Sequence, residues 1–230
     1  MSGLIVGCID RSAVPEVVES DIVTTELELD ETITGLIFNM EGSVFISQGT
    51  TQKIEIVATP FVGRFMSTQV SRGVWIIELT RAAQGDDGVI VNLQTPGLEY
   101  IELRSRGDIR TVDVMETPRI RIVHDGLGDM DLTIDTDRVW ADQTGSGLLS
   151  LAGVSRALSI NLAATGDLEA FELPVTNAYV NVAQSGVGIV EIDVADSLRV
   201  DISGPGIVRY KGAPVITTNI TGSGSLASVD

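Results

Sequence analysis

After Ile33 the chain reads as short alternations of apolar and polar residues broken by glycine. Ser43-Val44-Phe45-Ile46 stops at Gln48-Gly49, and Lys53-Ile54-Glu55-Ile56-Val57 alternates with a period of two. Val74 to Leu79 and Val89 to Leu93 repeat the pattern on either side of Gly85-Asp86-Asp87-Gly88. A period of two puts every second side chain on one face, which marks a strand, and the Gly-Asp cluster predicts a turn. Residues 58–73 lack the pattern and predict a looser connection with room for a short helical turn.

From about residue 101 the alternation becomes a repeat, clearest in Ile202 to Leu226. Gly107, Gly128, Gly147, Gly166, Gly188, Gly206 and Gly224 each end a Gly-x-Gly-like turn, at gaps of 21, 19, 19, 22, 18 and 18 residues. Two residues after each stand Ile109, Met130, Leu149, Leu168, Val190, Val208 and Leu226. Six before the first six stand Ile101, Ile122, Ala141, Ile160, Val182 and Val200; eight before, from Gly128 on, stand Ile120, Val139, Leu158, Val180, Leu198 and Ile216. Between these columns lie Arg121, Asn161, Asn181, Arg199 and Asp201.

Columns of this kind arise when each repeat is one rung of a coil and equivalent residues stack on one another. A single rung cannot bury its own apolar face, so rungs of this length accumulate into solenoids. At a strand spacing of about 4.8 Å each apolar residue packs on its equivalents above and below. A glycine repeated at one corner implies either positive φ or close approach of the backbone at every rung. The expected fold is all-β: a right-handed parallel β-helix with rungs of about 18–22 residues, the hand following from the chirality of parallel crossovers. An antiparallel meander or sandwich would not ordinarily keep so even a gap together with one-sided columns.

Composition agrees and narrows the function. Glycine is abundant at 24 residues and aromatics are scarce at 4%, as suits many short strands and tight turns. The formal charge is −17 with only two lysines, Lys53 and Lys211. That balance disfavours nucleic acid and anionic membrane surfaces as partners. Cys8 is the single cysteine and closes no intramolecular disulfide. No apolar run approaches the roughly 20 residues needed to span a bilayer.

Residues 1–30 read as an acidic leader or tether, and 31–230 as one β-helical domain with regular rungs from about 101. Leu4-Ile5-Val6-Gly7-Cys8 has the form of the end of a bacterial lipoprotein signal, which makes Cys8 a lipidation candidate. The run is short and has no basic segment before it. The likeness is therefore either that of a trimmed leader or accidental.

The chain resembles the bacterial putative auto-transporter adhesin family with a head GIN domain over roughly residues 31–230. The most specific stretch is Ile202-Ser203-Gly204-Pro205-Gly206-Ile207-Val208-Arg209-Tyr210-Lys211-Gly212-Ala213-Pro214, followed by Thr221-Gly222-Ser223-Gly224. Val44 to Gly49 and Leu93-Gln94-Thr95-Pro96-Gly97-Leu98 support it. Several turns depart from the usual Ser-Gly-Ser-Gly-Asp, among them Ser105-Arg106-Gly107, Ala164-Thr165-Gly166 and Gly186-Val187-Gly188. The resemblance implies a secreted or lipid-anchored cell-envelope protein with adhesion as its nominal role, and it supplies no catalytic residues.

The chemistry in the sequence is sparse. His124 is the only histidine, and the column assigned to it also holds Leu103, Gln143, Leu162, Gln184 and Ile202, so it reads as a packing residue and not a catalytic one. Asp129 and Asp131, with Asp108 and Asp167 in the column of Asp129, are weak Ca²⁺ candidates. Gly126 to Leu132 has only a superficial likeness to the calcium-binding nonapeptide, because Met130 stands where that motif needs aspartate; solvated edge carboxylates are the better reading. Arg106-Gly107-Asp108 falls on the recurrent turn, which accounts for its glycine. Trp75 and Trp140 read as strand packing. No catalytic residue and no cofactor is expected.

The expected function is therefore a non-enzymatic envelope or secreted module with adhesin-like binding of a protein or glycan. The alternatives are a self-assembling structural protein, with a homo-oligomer as its product, and a β-helix polysaccharide-active enzyme. A membrane enters only through a lipid anchor on Cys8.

Overall fold

The computed structural model describes residues 22–80 and 88–229. The first part of the chain forms β1 (Val23–Glu26), β2 (Gly35–Phe38), β3 (Ser43–Gln48), β4 (Lys53–Ala58), α1 (Pro60–Gly63), β5 (Val70–Ser71), β6 (Val74–Ile77) and β7 (Ile90–Thr95). There follow β8 (Tyr100–Leu103), β9 (Asp108–Thr111), β10 (Met115–Glu116) and β11 (Ile120–His124). Long bent strands come next: β12 (Met130–Gln143), β13 (Leu149–Leu162), β14 (Leu168–Val182) and β15 (Ile189–Ile202). The chain closes with β16 (Ile207–Lys211), β17 (Val215–Ile220) and β18 (Ser225–Ser228).

These strands wind into a parallel β-solenoid of about six turns. Each regular coil has two faces. The first carries Ile109, Met130, Leu149, Leu168, Val190, Val208 and Leu226 in one register column. The second carries Ile120, Val139, Leu158, Ala178, Leu198 and Ile216. The inward residues of both faces form one apolar core.

One expected column needs correction. Ala178, not Val180, continues Leu158, and Val180, not Val182, continues Ile160. The step from Val182 to Val190 takes eight residues where Leu162 to Leu168 takes six, so the Ala183–Gly188 turn carries two more than its predecessor. His124 therefore shares its column with Leu103, Gln143, Leu162, Val182 and Ile202, and Gln184 belongs to the turn.

The two corners are built differently. At the glycine corner none of the seven reference glycines has a positive φ, although Gly42, stacked against Gly107, has one of 122°. The requirement along the column is close approach, with each reference glycine facing the carbonyl of the coil before it. At the second bend a positive φ does occur, for example 111° at Gly153, a value that side chains with a Cβ rarely adopt. Buried hydroxyls help to turn the chain there. Thr117 Oγ1 donates to the Arg119 carbonyl, Ser155 Oγ donates to the Ala157 carbonyl, and Thr136 Oγ1 accepts from the Arg138 amide, the local bonding that favours Ser and Thr in turns.

The solenoid extends below residue 100, but out of chain order. β8 stacks on β2 and β2 on β6; β9 stacks on β3 and β3 on β7. Residues 35–48 thus lie between 74–95 and 100–111. This end is then closed by antiparallel strands: β4 on β7, β1 on β4, and β5 on β6. Trp75 is fully buried here, and its Nε1 donates to the Ser67 carbonyl at 2.8 Å. The expected helical turn is α1, with Thr59 as N-cap and Pro60 at its start, the residue type suited to a first helical turn.

Candidate functional site

Residues that alternate with the buried columns of the second face must point outward. One such column runs Gly35, Tyr100, Arg121, Trp140, Ser159, Tyr179, Arg199 and Thr217. An aromatic ring recurs at every second coil, so neighbouring rings are about 10 Å apart at the ordinary strand spacing. Trp140 and Tyr179 are 37% and 38% exposed, and Tyr100 is half-buried. Trp140 is therefore not the packing residue expected from the sequence, whereas Trp75 is. The signal was present: Trp140 lies between Val139 and Ala141, both inward, and parity alone turns it to solvent.

Trp140 stands between two shallow hollows. One, of about 310 Å³, is lined by Glu99, Arg119, Arg121 and Trp140. The other, of about 300 Å³, opens over Ser159 and Ala157 between the Trp140 and Tyr179 rings. The Arg138 guanidinium lies 5.3 Å from the Trp140 ring centre, and that of Arg199 lies 5.6 Å from the Tyr179 ring. Such stacking orients both partners.

The next outward column supplies hydrogen-bonding groups: Asp142, Asn161, Asn181, Asp201 and Asn219. Asn181 Nδ2 donates to Asn161 Oδ1 at 2.8 Å. Arg121 pairs with Asp142 at 2.8 Å and Arg199 with Asp201 at 3.2 Å. Exposed pairs like these contribute only about 0–1 kcal/mol to stability, so their effect is chiefly to hold side chains in place across the flank.

At the Tyr100 end the outward face is more buried. Arg104 grips Glu102 with Nε at 2.5 Å and Nη2 at 3.0 Å, and the Tyr100 hydroxyl donates to the same carboxylate. Burial first, and the Glu102 hydrogen bond second, push the Tyr100 phenol up to about 12. Burial and Asp201 raise Tyr179 as well. The stabilising Tyr100–Glu102 bond is complete below the unfolded phenol's range near pH 10 and disappears as the pH climbs through about 12. In an alkaline ultraviolet titration of the folded protein, the difference between wild type and Tyr100→Phe should show the Tyr100 phenolate rising near pH 12. A rise near pH 10 in the folded protein would contradict this packing.

The other residues singled out by the sequence fall elsewhere. Asp108 Oδ1 accepts from the Asp129 amide and Asp129 Oδ1 from the Leu148 amide, both at 2.9 Å; Asp167 Oδ1 accepts from the Ile189 amide at 2.7 Å. These three carboxylates each stitch a turn to the next coil. Asp131 is exposed on the first face. Among the described residues no group of three or more His, Cys, Asp or Glu is placed to hold a metal ion. His124 is fully buried, its Nε2 2.7 Å from the Gly128 carbonyl and its Nδ1 2.8 Å from Gln143 Oε1. Cys8 lies outside the described residues. A further hollow, of about 650 Å³, follows the second bend and includes Glu116, Asp135, Asp137 and Arg156; these side chains are exposed.

A family model described as "Putative auto-transporter adhesin, head GIN domain" matches residues 33–214. Solved structures share the coil. A putative adhesin from Bacteroides fragilis is 17% identical, with a TM-score of 0.85 over 91% of this chain and 97% of that one. A putative lipid binding protein from Parabacteroides distasonis is 18% identical, with a TM-score of 0.75 over 92% and 98%. A putative adhesin from Parabacteroides merdae is 18% identical, with a TM-score of 0.70 over the same shares. At these identities the likeness is one of fold. No curated protein matches the chain.

Proposed function

Because the chain belongs to the putative auto-transporter adhesin family with a head GIN domain, we propose that it is a non-enzymatic module of the cell surface or envelope. In this reading it binds an extended glycan along the flank of Tyr100, Trp140 and Tyr179. The observation that carries this is the two-coil spacing of the three rings. A solenoid repeats its surface at a fixed interval, and a linear polysaccharide repeats its rings at a fixed interval. Two coils, about 10 Å, are close to the length of a disaccharide in an extended β-linked chain. The apolar face of a sugar stacks on an aromatic ring, while its hydroxyls need donors and acceptors. Asn161, Asn181, Asp142 and Asp201 line the adjacent column and supply both. Arg138 has no carboxylate partner among the described residues and offers a guanidinium beside Trp140.

Calorimetric titration with β-linked oligosaccharides of increasing length tests the proposal. Affinity should rise as the ligand grows from a disaccharide to a hexasaccharide and spans successive rings. Trp140→Ala and Tyr179→Ala should each weaken binding about tenfold or more, with circular dichroism showing both variants folded, since neither ring belongs to the apolar core. Binding indifferent to both substitutions would remove the flank from the function. Chromatography of the same mixtures addresses the rival enzyme: shortened oligosaccharides would shift attention to the carboxylate-lined bend at Glu116, Asp135 and Asp137.

A further inference from the structure

The two ends of the solenoid are built unlike each other. At the Trp75 end, antiparallel strands turn the sheets away from further stacking, and β1 and β4 carry Glu26, Lys53 and Glu55. Among the described residues the other end has no such closure. All six residues of β17 are exposed, and among the described residues no strand lies beyond β17 or β18. Ile216 and Ile220 continue the inward columns but are 39% and 43% exposed, whereas Leu198 and Ile202 one coil earlier are each 1% exposed.

The composition of this last coil is also distinct. From Gly212 to Val229 there is no Asp, Glu, Lys, Arg or His, in a chain with 32 acidic and 15 basic residues. The strand one coil earlier, β15, carries Glu191, Asp193, Asp196, Arg199 and Asp201. Edge strands are ordinarily protected by charge, proline or a bulge; β17, with the sequence VITTNI, has none of them.

We infer that this end is an interface between two copies of the chain, joined tail to tail. The net charge of −17 would repel a copy of the chain along its charged flanks, whereas the last coil presents a neutral end. Head-to-tail stacking is mismatched, because the far end offers charged antiparallel strands. A two-fold axis normal to the second face reverses strand direction, so β17 meets its counterpart antiparallel on one face and β18 does so on the other. This is a closed, isologous contact that stops at two copies. It caps both open edges at once and covers Ile216, Ile220 and Leu226. It also sets two aromatic columns on one continuous flank, so that a long ligand meets two sites and gains from their effective concentration.

Analytical ultracentrifugation of the full chain over a range of concentrations tests the inference. A species of twice the 24.4 kDa chain mass is expected, and Thr218→Lys, which places a charge on the inward side of the edge strand, should raise the concentration for half-dimerisation by roughly a hundredfold. Circular dichroism should show the substituted monomer folded, since Thr218 is exposed in the single chain. Hydrogen exchange on the wild type provides a readout free of mutation: amides of β17 and β18 should exchange more slowly as concentration rises. A single-chain mass at every concentration, a dimer untouched by Thr218→Lys, or polymers that grow without limit would each overturn the inference. Slow β17 exchange in a monomer would do so as well, because it would mean that residues 1–21 cover the edge from within the same chain.

Discussion

Gly147→Ala is expected to lower stability by about 3 kcal/mol or more, a loss reached only when a substitution forces backbone apart. A Cβ at position 147 would sit 1.9 Å from the Gly128 carbonyl oxygen and 2.9 Å from His124 Cε1. Neither neighbour can yield cheaply. The Gly128 carbonyl belongs to the turn one coil below and lies within hydrogen-bonding distance of His124, and His124 is fully enclosed. The same column continues through Gly128 over Gly107 and Gly188 over Gly166, each with a carbonyl about as close, so a shift in one coil is passed to the next. Gly63→Ala and Gly88→Ala are the controls. A Cβ at either meets nothing within 4 Å, and both should stay within about 0.5 kcal/mol of wild type. Urea denaturation of the three variants decides the matter; a Gly147→Ala midpoint equal to that of the controls would mean that the corner is looser than the stacked carbonyls require.

The second large effect is expected at the buried pair above that corner. Gln143 Nε2 donates to the Gly147 carbonyl at 2.7 Å, which aims its Oε1 at His124. His124→Leu removes the ring whose nitrogens face the Gly128 carbonyl and Gln143 Oε1, only one of which a neutral imidazole can serve as donor. Gln143→Leu leaves the Gly147 carbonyl and a His124 ring nitrogen without their neighbour. Each single substitution should cost about 1–3 kcal/mol. The double variant should cost less than the sum, by about 1 kcal/mol or more, since it removes both buried polar groups together. It would also make Leu the residue at four successive levels, from Leu103 to Leu162. Strict additivity in a double-mutant cycle would show that the two side chains are not coupled.

Much of this architecture could be read from the chain. The apolar residues two places after each turn glycine, Ile109 through Leu226, stack in the register their spacing implies. The glycines recur because backbone from adjacent coils meets there. The outward aromatic column was also within reach, since Tyr100, Trp140 and Tyr179 each adjoin residues of buried columns. The column slip at Val180 and Val182 was not. A displacement of two residues keeps the same side chains inward, so alternation cannot detect it.

The sequence by itself determined which side of each strand faces the core, the length of the coil, and the corner that admits no Cβ. These depend on neighbours along the chain and on a repeat that brings like over like. Only the tertiary structure decided that residues 35–48 lie between 74–95 and 100–111, that Asp108, Asp129 and Asp167 bond to backbone amides, and that His124 meets Gln143. The physical reason is that alternation specifies a face but not a partner. Strand pairing is settled by sealing the open end and by matching polar atoms that are far apart in the chain.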